Sequence, residues 1–447
     1  MHKILLINLP IDNFSYNFLI PEGPLYCAAA LEQAGYEIDF WDININYHSP
    51  ENYNELIDAL ENKDTDYLAI AMGGLITAYN FVAWFTPHLR RKYPDTALIV
   101  GGGIASECSD LLLYKQFADI TVLGEGESTI CDIADNLRDG RDTVGIPGTA
   151  LLKNGKLKQY PPRPLIQNLD DNYPAYHCID PELYLNRART ATGRAIFTLN
   201  TSRGCPFNCN FCYHIFGRSY RHIGNDEIIR RLKQLKSQFS PESFVFIDEM
   251  FLASKKRFTD FCNQYVHSGI DTPWWFKTRV DMVLGSEGKA LLQLAATSGC
   301  EYIGFGFESG SQEILDRMNK RTAVWQMSEA IDNVVNSGIP RSYGGIIVGY
   351  PGETPRTVNE TITFMNNHPF PDYSVYYATP YPGTEMYRLG WEKIQSAFGT
   401  KEAFVQSIRQ TSDFTVNLTD MSDSQLIGLY KDVSETAVRL RQLRGAC

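Results

Sequence analysis

Short apolar runs that alternate with helical patterns constrain this chain more than any other feature, because strands separated by helices pair most readily as parallel sheets. Between Lys3 and about Arg138 the runs are Lys3–Leu9, Glu37–Trp41, Tyr67–Ala71, Ala97–Gly101 and Asp119–Leu123. They predict an α/β, doubly wound, Rossmann-like domain, which binds ligands in the loops at the carboxyl ends of its strands. A second series begins near Ala195, with runs at Ile196–Asn200, Phe244–Glu249, Trp274–Arg279, Tyr302–Glu308, Gly344–Gly349 and Tyr373–Ala378. Six strands of this kind predict a partial (β/α)6 barrel, with its chemistry at the carboxyl ends. Being incomplete, such a barrel leaves a lateral opening wide enough for a large substrate.

The predicted division is 1–140 for the first domain, 141–194 for a connector, 195–386 for the partial barrel and 387–447 for a helical C-terminal extension. The connector carries a hairpin, Ala150–Lys158, turning on Asn154-Gly155, then the stiff segment Tyr160-Pro-Pro-Arg-Pro164 and an aromatic stretch with Tyr173, Tyr176 and His177. In the extension, Ser422-Asp-Ser-Gln425 is a capping-box pattern ahead of Leu426, Leu429, Tyr430, Val433, Ala437 and Leu440 at helical spacing. Arg439, Arg441 and Arg444 suit the negative end of that helix dipole. Docking of the helix onto the barrel is expected.

Three loops of the first domain are rich in glycine. Met72-Gly-Gly-Leu-Ile-Thr77 follows the third run, Gly101-Gly-Gly-Ile-Ala-Ser106 the fourth, and Gly124-Glu-Gly-Glu-Ser-Thr129 the fifth. With no Cβ in the way, glycines at successive strand ends let the backbone approach a large flat ligand. In the second domain, Cys205, Cys209 and Cys212 follow the first strand in the C-x3-C-x2-C stretch Cys205-Pro-Phe-Asn-Cys-Asn-Phe-Cys212. This spacing supplies three thiolates, enough to hold a four-iron cluster with one iron left open, and one fewer than a structural zinc site takes. An open iron points to chemistry rather than electron storage.

The cysteine stretch resembles the radical S-adenosylmethionine (radical SAM) enzymes, and several further motifs follow in that family's order between Ala195 and Tyr387. The resemblance implies that Cys205, Cys209 and Cys212 bind a [4Fe–4S] cluster whose open iron chelates S-adenosylmethionine and cleaves it to a deoxyadenosyl radical. It implies contacts to S-adenosylmethionine from Tyr213 beside adenine, Asp248 and Glu249 at the ammonium, Arg279 in the R-x-D that ends at Asp281, and Glu308 and Ser309 at the ribose. Gly349, in Gly349-Tyr-Pro-Gly-Glu-Thr354, would pack on adenine, and Pro380-Tyr-Pro-Gly-Thr384 closes the sixth strand in the family's manner. His214 and Arg218 also follow the cluster, without a role that the motif assigns.

The first domain, with Val100-Gly-Gly-Gly103 and Leu123-Gly-Glu-Gly-Glu127, is similar to the cobalamin-binding domain found ahead of the barrel in one branch of that family. The implied cobalamin-binding residues are Gly73, Gly74, Leu75, Ile76 and Thr77, then Gly101, Gly102, Gly103 and Ile104, and finally Gly124, Glu125, Gly126 and Glu127. The D-x-H-x-x-G motif that puts histidine on cobalt is absent, since residues 1–140 contain only His2, His48 and His88, none in that context. In this branch the lower corrin face instead meets the loop after the third strand, here Leu75, Ile76 or Thr77, none a strong ligand. A dinucleotide site is disfavoured, because the first strand ends in Leu9-Pro10-Ile11-Asp12 without G-x-G-x-x-G.

The family implies a cobalamin-dependent methyltransferase that uses the deoxyadenosyl radical and methylcobalamin to methylate an unactivated carbon. A protein or peptide side chain is the first expectation for substrate, with a small metabolite close behind. A cyclase or rearrangement enzyme without methyl transfer is the alternative on the same scaffold, and a cobalamin-binding iron–sulfur sensor the alternative of another class. The catalytic residues beyond the cofactor ligands are not legible. An external one-electron reductant is required, and a monomer is expected.

Composition narrows the partners. A net charge of −11 disfavours binding to a nucleic-acid backbone, and no apolar run is long enough to span a bilayer. The start at Met1 runs straight into a strand without a signal-peptide pattern, so a cytoplasmic location is expected. Of ten cysteines, Cys27, Cys108, Cys131, Cys178, Cys262, Cys300 and Cys447 show no metal-ligand spacing, and Cys447 is not placed for a C-a-a-X box. Such usage fits a reducing compartment.

Overall fold

The computed structural model describes residues 2–11, 18–47, 50–368 and 370–443. Asp12, His48, Arg444 and Cys447, all considered in the sequence, lie outside the described residues. The chain forms two compact units, Met1–Ala195 with Lys401–Arg409, and Ile196–Thr400 with Gln410–Cys447.

The first unit is built on a seven-stranded sheet. Its strands are β1 (Lys3–Asn8), β2 (Glu37–Asp42), β3 (Ala69–Gly73), β4 (Ala97–Gly101), β5 (Ile120–Val122), β6 (Thr149–Lys153) and β7 (Lys156–Gln159), in the order β2-β1-β3-β4-β5-β6-β7. The first five are parallel, and the chain reverses direction across the sheet between β1 and β3, the switch point at which such folds bind ligands. Five strands are expected from the sequence and seven are found. The extra pair is the Asn154-Gly155 hairpin, which joins antiparallel to β5 and so belongs to the sheet rather than to a separate connector. A hairpin's turn chemistry fixes its own register but not the edge it will extend.

The return of Lys401–Arg409 to this unit has no local sequence signal. Lys401 Nζ bonds Asp110 Oδ1 at 2.8 Å and the carbonyl of Glu107 at 2.7 Å, Glu402 accepts from Tyr79 Oη at 3.1 Å, and Phe404 and Val405 are buried.

The second unit carries β8 (Ile196–Leu199), a short antiparallel pair β9 (Ser202–Arg203) and β10 (Arg221–His222), then β11 (Ser243–Phe246), β12 (Trp274–Thr278), β13 (Cys300–Glu308), β14 (Arg341–Val348) and β15 (Tyr373–Tyr377). The six long strands form one parallel sheet in the order β15-β14-β13-β12-β11-β8, an open half-barrel as predicted. The core between its strands and the helix Lys255–Ser268 is aromatic: Phe246, Phe251, Phe258, Phe261, Trp274 and Phe276 are all buried and linked by ring contacts. Trp274 is accommodated there because its Nε1 donates to the carbonyl of Ser298 at 2.9 Å.

The closing helix, Asp423–Leu443, starts on the predicted capping box: the Gln425 amide donates to Ser422 Oγ at 3.3 Å and the Ser422 amide to Gln425 Oε1 at 3.0 Å. It docks on the sheet edge as expected. Tyr430 stacks on Tyr377 with centroids 3.7 Å apart and donates to the carbonyl of Val375, while Arg441 pairs with Asp372.

Candidate functional site

The cysteine loop is held at its neck and at its tip. At the neck, β9 pairs with β10, and Gly204 has φ +84° with an imaginary Cβ only 2.4 Å from the Ser219 carbonyl oxygen, so no other residue fits there without displacing backbone. At the tip, Asn210 donates from its amide to the carbonyl of Met318 and from Nδ2 to that of Arg317, each at 2.9 Å, and Asn319 Nδ2 donates to the carbonyl of Asn208. Between these anchors the three cysteines are presented beyond the carboxyl end of β8.

Burial raises the Cys205 thiol, and pushes that of Cys212 up to about 12, aided by Cys209 and Glu249; Cys212 is open to solvent as a residue, but protein crowds its sulfur. Bound iron reverses this preference, because a coordinating thiol is deprotonated outright. Among the described residues, the group whose ligand atoms all lie within 4.8 Å of one another is instead Glu32, His177 and Cys178 in the first unit. There His177 already pairs with Glu32 at 2.8 Å, and burial and Glu32 push the Cys178 thiol up to about 12. The cysteine trio is more widely spread, as a cluster requires and a single zinc ion does not.

The two adjacent acids after β11 have different surroundings. Asp248 is fully buried and accepts from the Thr201 amide at 2.8 Å, from Thr201 Oγ1 at 3.2 Å and from Ser202 Oγ at 2.6 Å. It therefore ties down the entry to the cysteine loop. Glu249 is pushed up to about 7 by burial, against the pull of the backbone amides of Gly204, Phe216 and Ile215, and its Oε2 is buried with no hydrogen-bond partner. A buried unpaired oxygen beside the thiols is the acceptor that a ligand ammonium needs. Both ring nitrogens of His214 and the Thr278 hydroxyl are likewise buried and unpartnered.

Arg279 is almost fully buried, and the protein surrounds it. Nε donates to Asp281 Oδ1 at 2.9 Å, Nη2 to the Lys320 carbonyl at 2.8 Å and to Thr322 Oγ1 at 3.2 Å, and Nη1 to Cys209 Sγ at 3.7 Å. The guanidinium lies over the Phe207 ring, 3.7 Å from its centroid. Glu308, at the end of β13, holds φ +68° and forms a buried ion pair with Lys320 at 2.7 Å, for which Gly306 leaves the space. Ser309 Oγ contacts Thr361 Oγ1 at 3.1 Å and accepts from the Ser311 amide, fixing the start of the next helix. The Gly349 amide donates to Glu353 Oε2 at 2.5 Å, and Leu426 of the closing helix lies over that glycine. Tyr213 is half-buried immediately after Cys212. Phe207, Lys320 and Thr322 join the site without any sequence signal; only the fold brings residues 317–322 back to the cysteine loop.

In the first unit, Gly73 and Gly101 lie within the ladder, paired with each other, and the loops begin at Gly74 and Gly102. Their glycines serve loop-on-loop packing first. An imaginary Cβ on Gly102, at φ +80°, falls 2.6 Å from the Gly74 carbonyl oxygen, and one on Gly74 falls 2.7 Å from Leu9 Cβ. Ile104 is fully buried, its amide bonded to the Gly74 carbonyl, and Gly103 opens the helix Gly103–Tyr114. Glu125 Oε2 accepts from the Ile166 amide at 2.7 Å, and Glu127 is buried in the first turn of the helix Glu127–Arg138. What remains open toward solvent is Leu75, 45% exposed, and the space beside Gly124, whereas a Cβ on Gly126 would fall 3.1 Å from Cys27 Sγ; the Thr77 hydroxyl is buried without a partner. An exposed apolar residue beside an orphan hydroxyl, at the switch-point loops, fits a corrinoid's flat apolar face and polar rim.

A three-thiolate loop at the mouth of an open half-barrel is the hallmark of one class, enzymes that work through an iron left open. Residues 199–365 match the radical SAM superfamily model and residues 15–134 the B12 binding domain model. The chain is 30% identical over 394 residues, 86% of its length and 82% of the other's, to an uncharacterized methyltransferase, PH0819, of Pyrococcus horikoshii. It is 27% identical over 398 residues, 87% of its length and 69% of the other's, to the anaerobic magnesium-protoporphyrin IX monomethyl ester cyclase of Rubrivivax gelatinosus. Among solved structures it resembles the radical S-adenosylmethionine methyltransferase TsrM of Kitasatospora setae, solved with cobalamin and a [4Fe–4S] cluster, with a TM-score of 0.71 and 19% identity over 90% of this chain and 76% of that one. The protein belongs to the cobalamin-dependent radical SAM enzymes, in their methyltransferase branch. Its cofactors are a [4Fe–4S] cluster, S-adenosylmethionine and cobalamin.

Proposed function

We propose that this enzyme methylates an unactivated carbon of an organic substrate, with a protein or peptide side chain as the first substrate class to test. The observation that carries the reading is the pairing, in one chain, of a three-cysteine loop beside the unpaired Glu249 oxygen with a separate sheet whose switch-point loops leave Leu75 exposed and the buried Thr77 hydroxyl unpaired. When bound, the cluster supplies the electron that cleaves S-adenosylmethionine and the corrinoid carries the methyl group. The chain's own residues orient and enclose. Cys205, Cys209 and Cys212 supply three thiolates, and Glu249 accepts the ligand ammonium. Glu308, buried with Lys320, is the acceptor assigned to the ribose hydroxyls, and the Gly349 loop is the surface assigned to adenine. Asp248 and Arg279, each held by protein partners, fix the walls of the site. Leu75, Ile76 and Thr77 offer the lower corrin face no strong ligand, which suits a group that must both take up and give away methyl.

Incubation of the anaerobically reconstituted enzyme with methyl-labelled S-adenosylmethionine, a one-electron reductant and a host extract tests this. Label in a carbon-bound methyl group, with S-adenosylhomocysteine and deoxyadenosine formed together, is expected; label in protein or in small molecules decides the substrate class. The similarity to the Rubrivivax cyclase supports a second reading, oxidative cyclisation. Deoxyadenosine formed without label transfer would select it over methylation.

A further inference from the structure

We propose that Arg279 sets the reduction potential of the cluster, as a charged hydrogen-bond donor to the sulfur of Cys209. This rests on the reading that Cys209 is a cluster ligand.

A cluster that accepts an electron gains negative charge, part of which resides on its thiolate sulfurs. Donors and positive charge at those sulfurs stabilise the reduced form and raise the potential. Arg279 Nη1 stands 3.7 Å from Cys209 Sγ, and both residues are more than nine-tenths buried, where solvent screening is weak. The donor is also held still. Asp281 binds the edge formed by Nε and Nη2, the Lys320 carbonyl and Thr322 hydroxyl take Nη2, and Phe207 lies flat beneath.

The Asp281 carboxylate offsets part of the charge, but it is partly exposed and engages the edge away from Nη1, so the sulfur faces the positive end of the pair. With Nε and Nη2 engaged by the protein, Nη1 is the donor turned to the ligand sulfur. An arrangement that eases reduction suits a cluster that must take its electron from an external donor.

The test uses full-length enzyme, reconstituted anaerobically with iron and sulfide, with the midpoint potential read by electron paramagnetic resonance redox titration without S-adenosylmethionine. Arg279→Gln is expected to lower the reduced-to-oxidised ratio at fixed potential about tenfold, about 59 mV for one electron. Arg279→Lys, which keeps charge but loses the planar fork, should fall between. Thr322→Val, which removes one hold on the guanidinium without changing charge, should give a smaller shift of the same sign, and it decides the matter if the Arg279 variants take up no cluster. A wild-type midpoint in any variant with a full complement of iron, or a shift to higher potential, overturns the proposal. A wild-type enzyme that takes up no cluster would instead sink the assignment of the three cysteines.

Discussion

Asp248 and Glu249 are neighbours of similar chemistry, yet the fold gives them different work. Asp248 is satisfied by Thr201 and Ser202, whereas Glu249 keeps one buried oxygen unpaired. The sequence marks both as ammonium contacts and cannot separate them, because the difference lies in which carboxylate the β8 loop reaches. Glu249→Gln should weaken S-adenosylmethionine binding to cluster-loaded enzyme by about 1.5–3 kcal/mol, the worth of a charged hydrogen bond, with iron content unchanged. Asp248→Asn should instead lower iron content; equilibrium dialysis and iron assay distinguish the two. Glu353 gives a pH signature. Burial pushes its carboxyl from 4.5 up to about 7, so the folded protein holds that proton more tightly than the unfolded chain. Stability contributed by the protonated form is complete below the unfolded value and is lost as pH rises through the folded one. Wild type should therefore lose up to about 3 kcal/mol between roughly pH 4.5 and 7 that Glu353→Gln does not lose. Urea melts at about pH 5 and about pH 8 would show the variant gaining on wild type at the higher pH.

At the level of elements, the six half-barrel strands were readable to within a few residues, because each is a compact apolar run beside a helix. The glycine loops were readable as special positions, though packing within the fold accounts for two of the glycines. Gly74 and Gly102 let two loops touch each other, and Gly124 borders open space. Gly102 has ψ −164° with its positive φ, a region almost closed to other residues. Gly102→Ala should cost about 1–3 kcal/mol from backbone strain, with the clash against Gly74 in addition. It should therefore lower both the melting temperature and the cobalamin retained after anaerobic desalting. Gly124→Ala also strains the backbone but meets no atom within 4 Å, so it should lose less of either. If both lose equally, strain alone governs, and the loop contact is not what shapes the site. The hairpin was legible from its Asn-Gly turn, but the sheet edge it extends was not, and the Lys401–Arg409 segment escaped altogether, for a common reason: only long-range pairing decides which sheet a segment joins.

For the whole molecule, the consequential feature is that each unit has its own sheet and its own buried core, although the chain leaves the first unit at Ala195 and returns to it at Lys401. The loops proposed to hold the corrin and the segment Lys401–Arg409 contain none of the three cysteines. Loading of one cofactor therefore should not require the other, while turnover requires both. Cys209→Ala tests this division, since it removes a thiolate and leaves every loop of the first unit untouched. Purified anaerobically and reconstituted, the variant is expected to bind cobalamin at wild-type stoichiometry, read from the corrin absorption, and to form no deoxyadenosine from S-adenosylmethionine and reductant. Deoxyadenosine at the wild-type rate would remove the three-thiolate loop from the chemistry. Loss of cobalamin alongside the cluster would show that the first unit depends on the second for its ligand, and that the two cores do not load separately.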